Sequence, residues 1–153
     1  MEVKTRAPKK EELVKKWHLV DAKGQILGRV ATQVAKLLIG KDKPTFVAYL
    51  DCGDKVVVVN AAAVAVSAGR SETKIYKRHS GYPGGLRLET LKDLLARRPE
   101  EVIRRAVWGM LPNNRLRAVR ITNLYIYAGA EHPHQAQLGH RAQLDNPAQL
   151  KEK

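Results

Sequence analysis

A chain of 153 residues with 44% apolar residues is long enough for one domain with a buried core, and too apolar to stay disordered. Its 28 Lys and Arg against 15 Asp and Glu give a formal charge of +13, an excess whose self-repulsion a polyanionic partner relieves most readily. An anionic membrane fits poorly, because the longest apolar run, Val56 to Val66, is interrupted by Asn60 and falls far short of the roughly 20 residues needed to span. The single cysteine, Cys52, can form neither an internal disulfide nor a cysteine-based metal site. Residues 1–16 are charged throughout and lack the apolar segment of a signal peptide. A reducing cytoplasm suits these features.

Along the chain, Trp17-His18-Leu19-Val20 is a short apolar run of the strand type, broken by Asp21-Ala22-Lys23-Gly24. Leu27, Val30, Ala31, Val34, Ala35 and Leu38 recur at helical spacing, and Gly40 stands where a helix-ending glycine belongs. Val56 to Val59 is a continuous β-branched run, as expected of a strand buried on both faces. Val64 to Val66 adds a short strand or a bend, and Thr73 to Arg78 reads as a polar, edge-like strand. Leu88, Leu91, Leu94 and Leu95 mark a second helix that stops at Arg98, since Pro99 disfavours helical backbone before it. Pro99 suits the first turn of the next helix, with Glu100 and Glu101 near its positive end. That helix is expected to bury Val102, Ile103, Ala106, Val107 and Met110, leaving Arg104, Arg105 and Trp108 off the stripe. Leu124-Tyr125-Ile126-Tyr127 is the final strand. Strands alternating with helices argue for an α/β fold with a largely parallel sheet and helices on both faces. The expected organisation is a charged extension over 1–16, one α/β domain over 17–130 and a tail over 131–153. In that tail Ala-Gln-Leu occurs at 136–138, 142–144 and 148–150, which reads as low complexity lying on a surface or without fixed structure.

The positive charge is local. Residues 1–16 carry six cations against three acids, 70–78 carry Arg70, Lys74, Lys77 and Arg78 against Glu72, and 97–120 carry seven arginines against Glu100 and Glu101. From 121 to 153 the balance is zero. One such run is commonly a solvated face, but three with few compensating acids point to RNA. The segment from Arg70 to Arg87 is the best candidate. Its cations supply phosphate contacts, Tyr82 and His79 offer flat faces for an unstacked base, and Gly81, Gly84 and Gly85 let the backbone approach a sugar-phosphate chain. The alternative is a mobile, soluble loop leading into the Leu88 helix. Arg115, Arg117 and Arg120 follow an Asn113–Asn114 helix start, with 117 and 120 on a face roughly opposite Leu116 and Val119. They are candidate phosphate contacts, or ordinary arginines of a capped surface helix. Lys36, Lys41 and Lys43 cluster at the end of the first helix, where cations also complement the helix dipole; Lys41 and Lys43 are counted as RNA candidates.

Enzyme-like features are weak. Gly24-Gln-Ile-Leu-Gly28-Arg29 follows a strand but lacks both the dinucleotide fingerprint and the Gly-Lys-Ser/Thr of a P-loop, so close helix–strand packing is the better role. His132-Pro133-His134 has no third ligand cluster beside it and reads as a turn. Cys52 lies by Asp51 and Asp54, which disfavour a thiolate, and the two carboxylates themselves suit the turn before the Val56 strand. No metal, cofactor or small-molecule substrate is expected.

Between Val107 and Gly129 a Gly-Met-Leu-Pro helix stop is followed by an Asn-Asn start, an Arg-rich turn and an alternating strand ending in glycine. This arrangement closely resembles the ribosomal protein L13 family of the large subunit, bacterial type. In the same order, the family is also resembled by Leu27-Gly28-Arg29-Val30-Ala31 with Gly40-Lys41, and by Gly53-Asp54 with Val58-Val59-Asn60-Ala61. Two further segments, His79-Ser80-Gly81-Tyr82-Pro83-Gly84-Gly85 and His132-Pro133-His134 with Ala136-Gln137, complete the match, which runs from about Trp17 to Gln137. The resemblance implies a three-layer α/β/α domain around a mostly parallel four-stranded sheet, with basic loops and extended termini. It implies a structural constituent of the large ribosomal subunit that binds large-subunit rRNA, neighbours other large-subunit proteins and supports early assembly, with no reaction catalysed. The competing readings are a nucleotide-dependent α/β enzyme acting on a phosphorylated substrate, and a free RNA-binding regulator. One departure is visible: Arg117 stands where the family usually has glycine, and an ordinary helical conformation is expected there, because positive φ is disfavoured for arginine.

Overall fold

The computed structural model describes residues 8–67 and 69–138. Three strands, β1 (Trp17–Asp21), β2 (Lys55–Val59) and β5 (Leu124–Ile126), form a parallel sheet in the order β1-β2-β5. The register pairs Trp17 with Lys55 and Val56 with Leu124. β2 is central, so both its faces are covered, and this is why it is a run of valines. Val56 and Val58 join the main core, while Val57 and Val59 face a second cluster.

The expected four-stranded sheet is therefore corrected to three parallel strands plus a separate antiparallel hairpin, β3 (Ile75–His79) with β4 (Leu86–Thr90). Val64 to Val66 contributes only an isolated bridge between Ala65 and Ile26. Leu88 belongs to β4, not to the following helix, and is 57% exposed. The Leu-rich spacing misled because Leu88 alternates with Arg87 and Glu89 along a strand, while the helical period begins at Leu91.

The helices on the main face are α1 (Leu27–Ile39), α3 (Leu91–Arg97) and α4 (Pro99–Met110). α1 buries Leu27, Val30, Ala31, Val34, Ala35, Leu38 and Ile39, and stops at Gly40, whose φ of 79° is the left-handed conformation expected of a helix-ending glycine. The Thr90 hydroxyl caps α3 by accepting from Asp93 N–H at 3.2 Å. Pro99 occupies the first turn of α4, which buries Val102, Ile103 and Val107. Ala106 is only partly buried and Met110 is 42% exposed, so the buried stripe is narrower than its spacing suggests. Two shorter helices are α2 (Arg70–Thr73) and α5 (Leu116–Thr122).

The second face of the sheet carries Trp17, Leu19, Tyr125 and Tyr127. Among the described residues one short helix, α6 (Gln135–Leu138), lies against it and buries Leu138 with Val57 and Val59. The first Ala-Gln-Leu of the tail is thus part of the packed structure; those at 142–144 and 148–150 lie outside the described residues. His134 packs its ring on Trp17 and Tyr125 and shares a 2.9 Å hydrogen bond with the Tyr127 hydroxyl, which gives the His-Pro-His turn a packing role.

The backbone approaches closely where the end of α1 meets the segment before β2. A Cβ on Gly53 would lie 1.9 Å from the Leu38 carbonyl oxygen, and one on Gly40 would lie 2.6 Å from that of Cys52. Gly28, expected to allow tight helix–strand packing, has open space around it instead.

Candidate nucleic-acid interface

The cations divide into those held inside the fold and those left outside it. Lys43 is held. Its ammonium donates to Val14 O and Cys52 O, each at 3.0 Å, and to the buried Asp54 carboxylate at 2.5 Å. Asp54 also accepts from the Lys16 N–H at 2.8 Å and pairs with His18 Nε2 at 3.0 Å. Lys43, expected as a phosphate contact, here ties together the N-terminal segment, the loop after α1 and the entry to β2. All three of its ammonium donors are spent on that tie. Burial acts to raise the Asp54 carboxyl, but the hydrogen bonds from His18, Lys43 and the Lys16 amide, with the Lys43 charge, outweigh burial and hold it below the ordinary aspartate value.

Arg120, also expected as a phosphate contact, is turned inward. Its residue is 1% exposed, with Nη2 donating to Leu50 O at 3.4 Å and Nε 3.9 Å from the Asp51 carboxylate. Asp51 also takes Lys15 at 2.6 Å and Asn123 Nδ2 at 3.4 Å. Along α5 the expected faces are reversed: Val119 is 49% exposed while Arg120 points inward. The half-buried carboxylate of Asp51 is the acid nearest the inward arginine, and a sequence pattern cannot display a partner 69 positions away.

Arg117 lies within α5, and the one non-glycine residue with positive φ among the described residues is Asn60. The expected helical conformation holds. Its guanidinium stacks on Trp108, 4.4 Å from the ring centroid, and donates through Nε to the Trp108 carbonyl at 2.9 Å, through Nη2 to the same oxygen, and through Nη1 to Asn113 Oδ1 at 3.3 Å. It fastens α5 to the end of α4. Asn113 and Asn114 precede the helix, but Arg115 takes the capping position without a side-chain cap. Arg115 and Lys41 are exposed.

The hairpin keeps its cations in solvent. Lys77, Arg78 and His79 are exposed on β3, as are Arg70 and Lys74 just before it, and Tyr82 at the turn is 75% exposed. Arg70 begins the four-residue α2. Because side chains alternate along a strand, this cluster splits. Lys77 and His79 share one face with Ile75, Leu86 and Leu88; Arg78 shares the other with Tyr76, Arg87 and Glu89. Around the half-buried Tyr76 ring stand Lys74 Nζ at 5.3 Å and Arg105 at 5.1 Å. Desolvation raises the Tyr76 hydroxyl above its ordinary value, against the opposing pull of Arg105. One hairpin face thus runs from Lys74 and Arg105 around Tyr76 to Arg78 and Arg87. Sequence reading did not single out Arg87 or Arg105. The Pro-Gly-Gly turn between alternating segments was the available signal, since a hairpin there places Arg87 opposite Arg78.

Two expected outcomes follow from the held cations. Asp54→Ala should cost on the order of 3 kcal/mol in urea unfolding, because it leaves the Lys43 charge buried without its partner. A carboxyl depressed by folding adds stability above its unfolded value, and this is lost as pH falls through the folded one. Wild-type stability should therefore drop below about pH 4, with a smaller drop in the variant. For Arg117→Ala, about 1 kcal/mol of stability should be lost with the Trp108 stacking, while the salt dependence of RNA binding stays unchanged; a shallower salt dependence would make Arg117 a phosphate contact after all.

Comparison with known proteins bears on what this surface meets. The family described as Ribosomal protein L13 matches residues 15–133. The Pelodictyon phaeoclathratiforme protein named large ribosomal subunit protein uL13 is 50% identical over 134 residues, 88% of this chain and 90% of that one. Its namesake from Gloeothece citriformis is also 50% identical over 134 residues, covering 88% and 89%. The namesake from Chlorobium phaeobacteroides is 45% identical over 148 residues, covering 97% and 94%. With its family pattern matched over most of its length and half of the aligned residues shared with such relatives, this chain belongs to the ribosomal protein L13 family.

Proposed function

We propose that this chain is a structural constituent of the large ribosomal subunit, binding large-subunit rRNA and supporting early subunit assembly in the cytoplasm. The observation that carries the reading most is the likeness along most of the chain to proteins named as large-subunit components. The hairpin supports it from the physics. Lys74, Lys77, Arg78, His79 and Tyr82, with Arg70 beside them, are exposed on an arm that projects cations and a flat ring together. Phosphates met by such cations release counterions, and the aromatic ring accepts an unstacked base. Lys41 and Arg115 are further exposed contacts in this reading; Lys43, Arg117 and Arg120 serve by holding the fold that presents the others. The chain binds and positions RNA and neighbouring large-subunit proteins, and carries out no reaction of its own.

Purified protein should bind large-subunit rRNA with an affinity that falls by about 10³ between 50 and 200 mM salt, if on the order of 6 phosphates are engaged. Changing Lys74, Lys77 and Arg78 together to Gln should weaken binding and flatten the salt dependence, with little change in Tm, since all three are exposed. A salt-independent affinity, or co-sedimentation with small subunits in place of large ones, would overturn the reading. Saturable binding of a mononucleotide without rRNA binding would favour an enzyme.

A further inference from the structure

The turn of the hairpin decides which side chains meet across it. Ser80 N–H donates to Gly85 O at 3.2 Å and Leu91 N–H to Lys74 O at 2.9 Å, so the hydrogen-bonded pairs of the ladder fall on the even-numbered residues of β3. Arg78 and Arg87 are one such pair, directly opposed on the same face, with Cα atoms about 5.5 Å apart. Like charges so placed destabilise a hairpin. Nothing described in the protein relieves them. The hairpin's one acid, Glu89, is held by Arg97 at 2.7 Å, and neither Arg78 nor Arg87 has an ion pair among the described residues. Together with His79, Ser80, Gly84 and Gly85 they line an open cleft of about 610 Å³. Bare backbone forms part of its wall: Gly84 has a φ of 72°, and a Cβ on Gly85 would lie 2.0 Å from Ser80 Oγ. His79 Nδ1 accepts from Gly81 N–H at 2.9 Å, which leaves the neutral ring its proton on Nε2.

Resting on the rRNA reading above, we propose that this cleft is a clamp for a single phosphate of the RNA backbone, gripped by both guanidiniums at once. Planar guanidinium forks match phosphate oxygens in paired N–H···O bonds, and an anion seated between two opposed arginines cancels the repulsion that each imposes on the other. Shape and charge select a compact anion here. A base has a better platform on Tyr82 at the turn. Sharing one phosphate has a measurable consequence, because counterion release counts phosphates neutralised and not cations supplied. Removing either arginine also relieves the repulsion in the RNA-free protein, so hairpin stability and RNA affinity should move in opposite directions.

The test uses the full chain with Arg78→Gln, Arg87→Gln and both changes together. Binding to large-subunit rRNA is measured over a salt series, and hydrogen exchange of the hairpin amides is measured without RNA at low salt. The expected result is that the double variant lowers the salt slope by about 1, that the losses in the two single variants do not add, and that the hairpin amides of each single variant exchange no faster than those of the wild type. Additive losses with the slope lowered by about 2 would mean two separate phosphates and overturn the clamp. A double variant that binds like the wild type would overturn it while leaving the rRNA reading intact. Faster hairpin exchange in the single variants would make the arginines structural, and would also overturn it. Failure of the wild type to bind rRNA at all would remove both readings.

Discussion

The Asp54 carboxylate is the constraint on which the surrounding chain path depends. It lies at the entry to the central strand, almost fully buried, and collects an ammonium, an imidazole and a backbone N–H from two separate segments. A buried carboxylate is tolerated only when so satisfied, and each partner brings a segment with it. Lys16 and His18 carry the start of β1, and Lys43 carries the loop after α1, binding the Val14 and Cys52 carbonyls on the way. The bare backbone of Gly53 against Leu38 lets the same loop close onto the helix end. Beside this node, Asp51 gathers Lys15, Asn123 and Arg120, so α5 and β5 are tied to the same corner.

This arrangement explains how a chain of formal charge +13 can fold before it meets a polyanion. Part of the excess is consumed internally: Lys43 faces the buried Asp54, Arg120 lies 3.9 Å from the half-buried Asp51, and Arg117 lies on an indole ring with its donors committed to backbone and amide oxygens. Among the described residues, exposed cations without an ion pair include Lys77, Arg78 and Arg87 of the hairpin as well as Arg29, Lys41 and Arg115 elsewhere; the hairpin pairs separately from the parallel sheet, and its apolar residues Ile75, Leu86 and Leu88 are themselves exposed. The base of the arm is fastened to the rest of the fold through Tyr76 under Arg105 and the Thr90 cap of α3.

Much of the core was legible because it rests on local periodicity. The valines of β2, the apolar stripe of α1 with its closing glycine, and Pro99 opening α4 all carry their geometry in a few neighbouring residues. Long-range pairing was not legible. Lys43, Arg117 and Arg120 look like any surface cations in sequence, and only their partners at Asp54, Trp108 and Asp51 remove them from the exposed set. Arg87 failed for the opposite reason. Its placement depends on register, and counting Leu88 into the next helix hid the strand that places it across from Arg78.

The division between held and exposed cations is tested most directly by ultraviolet crosslinking in cells, followed by sequencing of the attached RNA and identification of the attached peptide. The expected result is large-subunit rRNA joined to peptides from Ile75 to Thr90, with Tyr82 prominent among the modified residues, and none joined at Lys43 or Arg120. Crosslinks that spare the hairpin and fall on those two residues, or that carry other RNAs in place of rRNA, would contradict it.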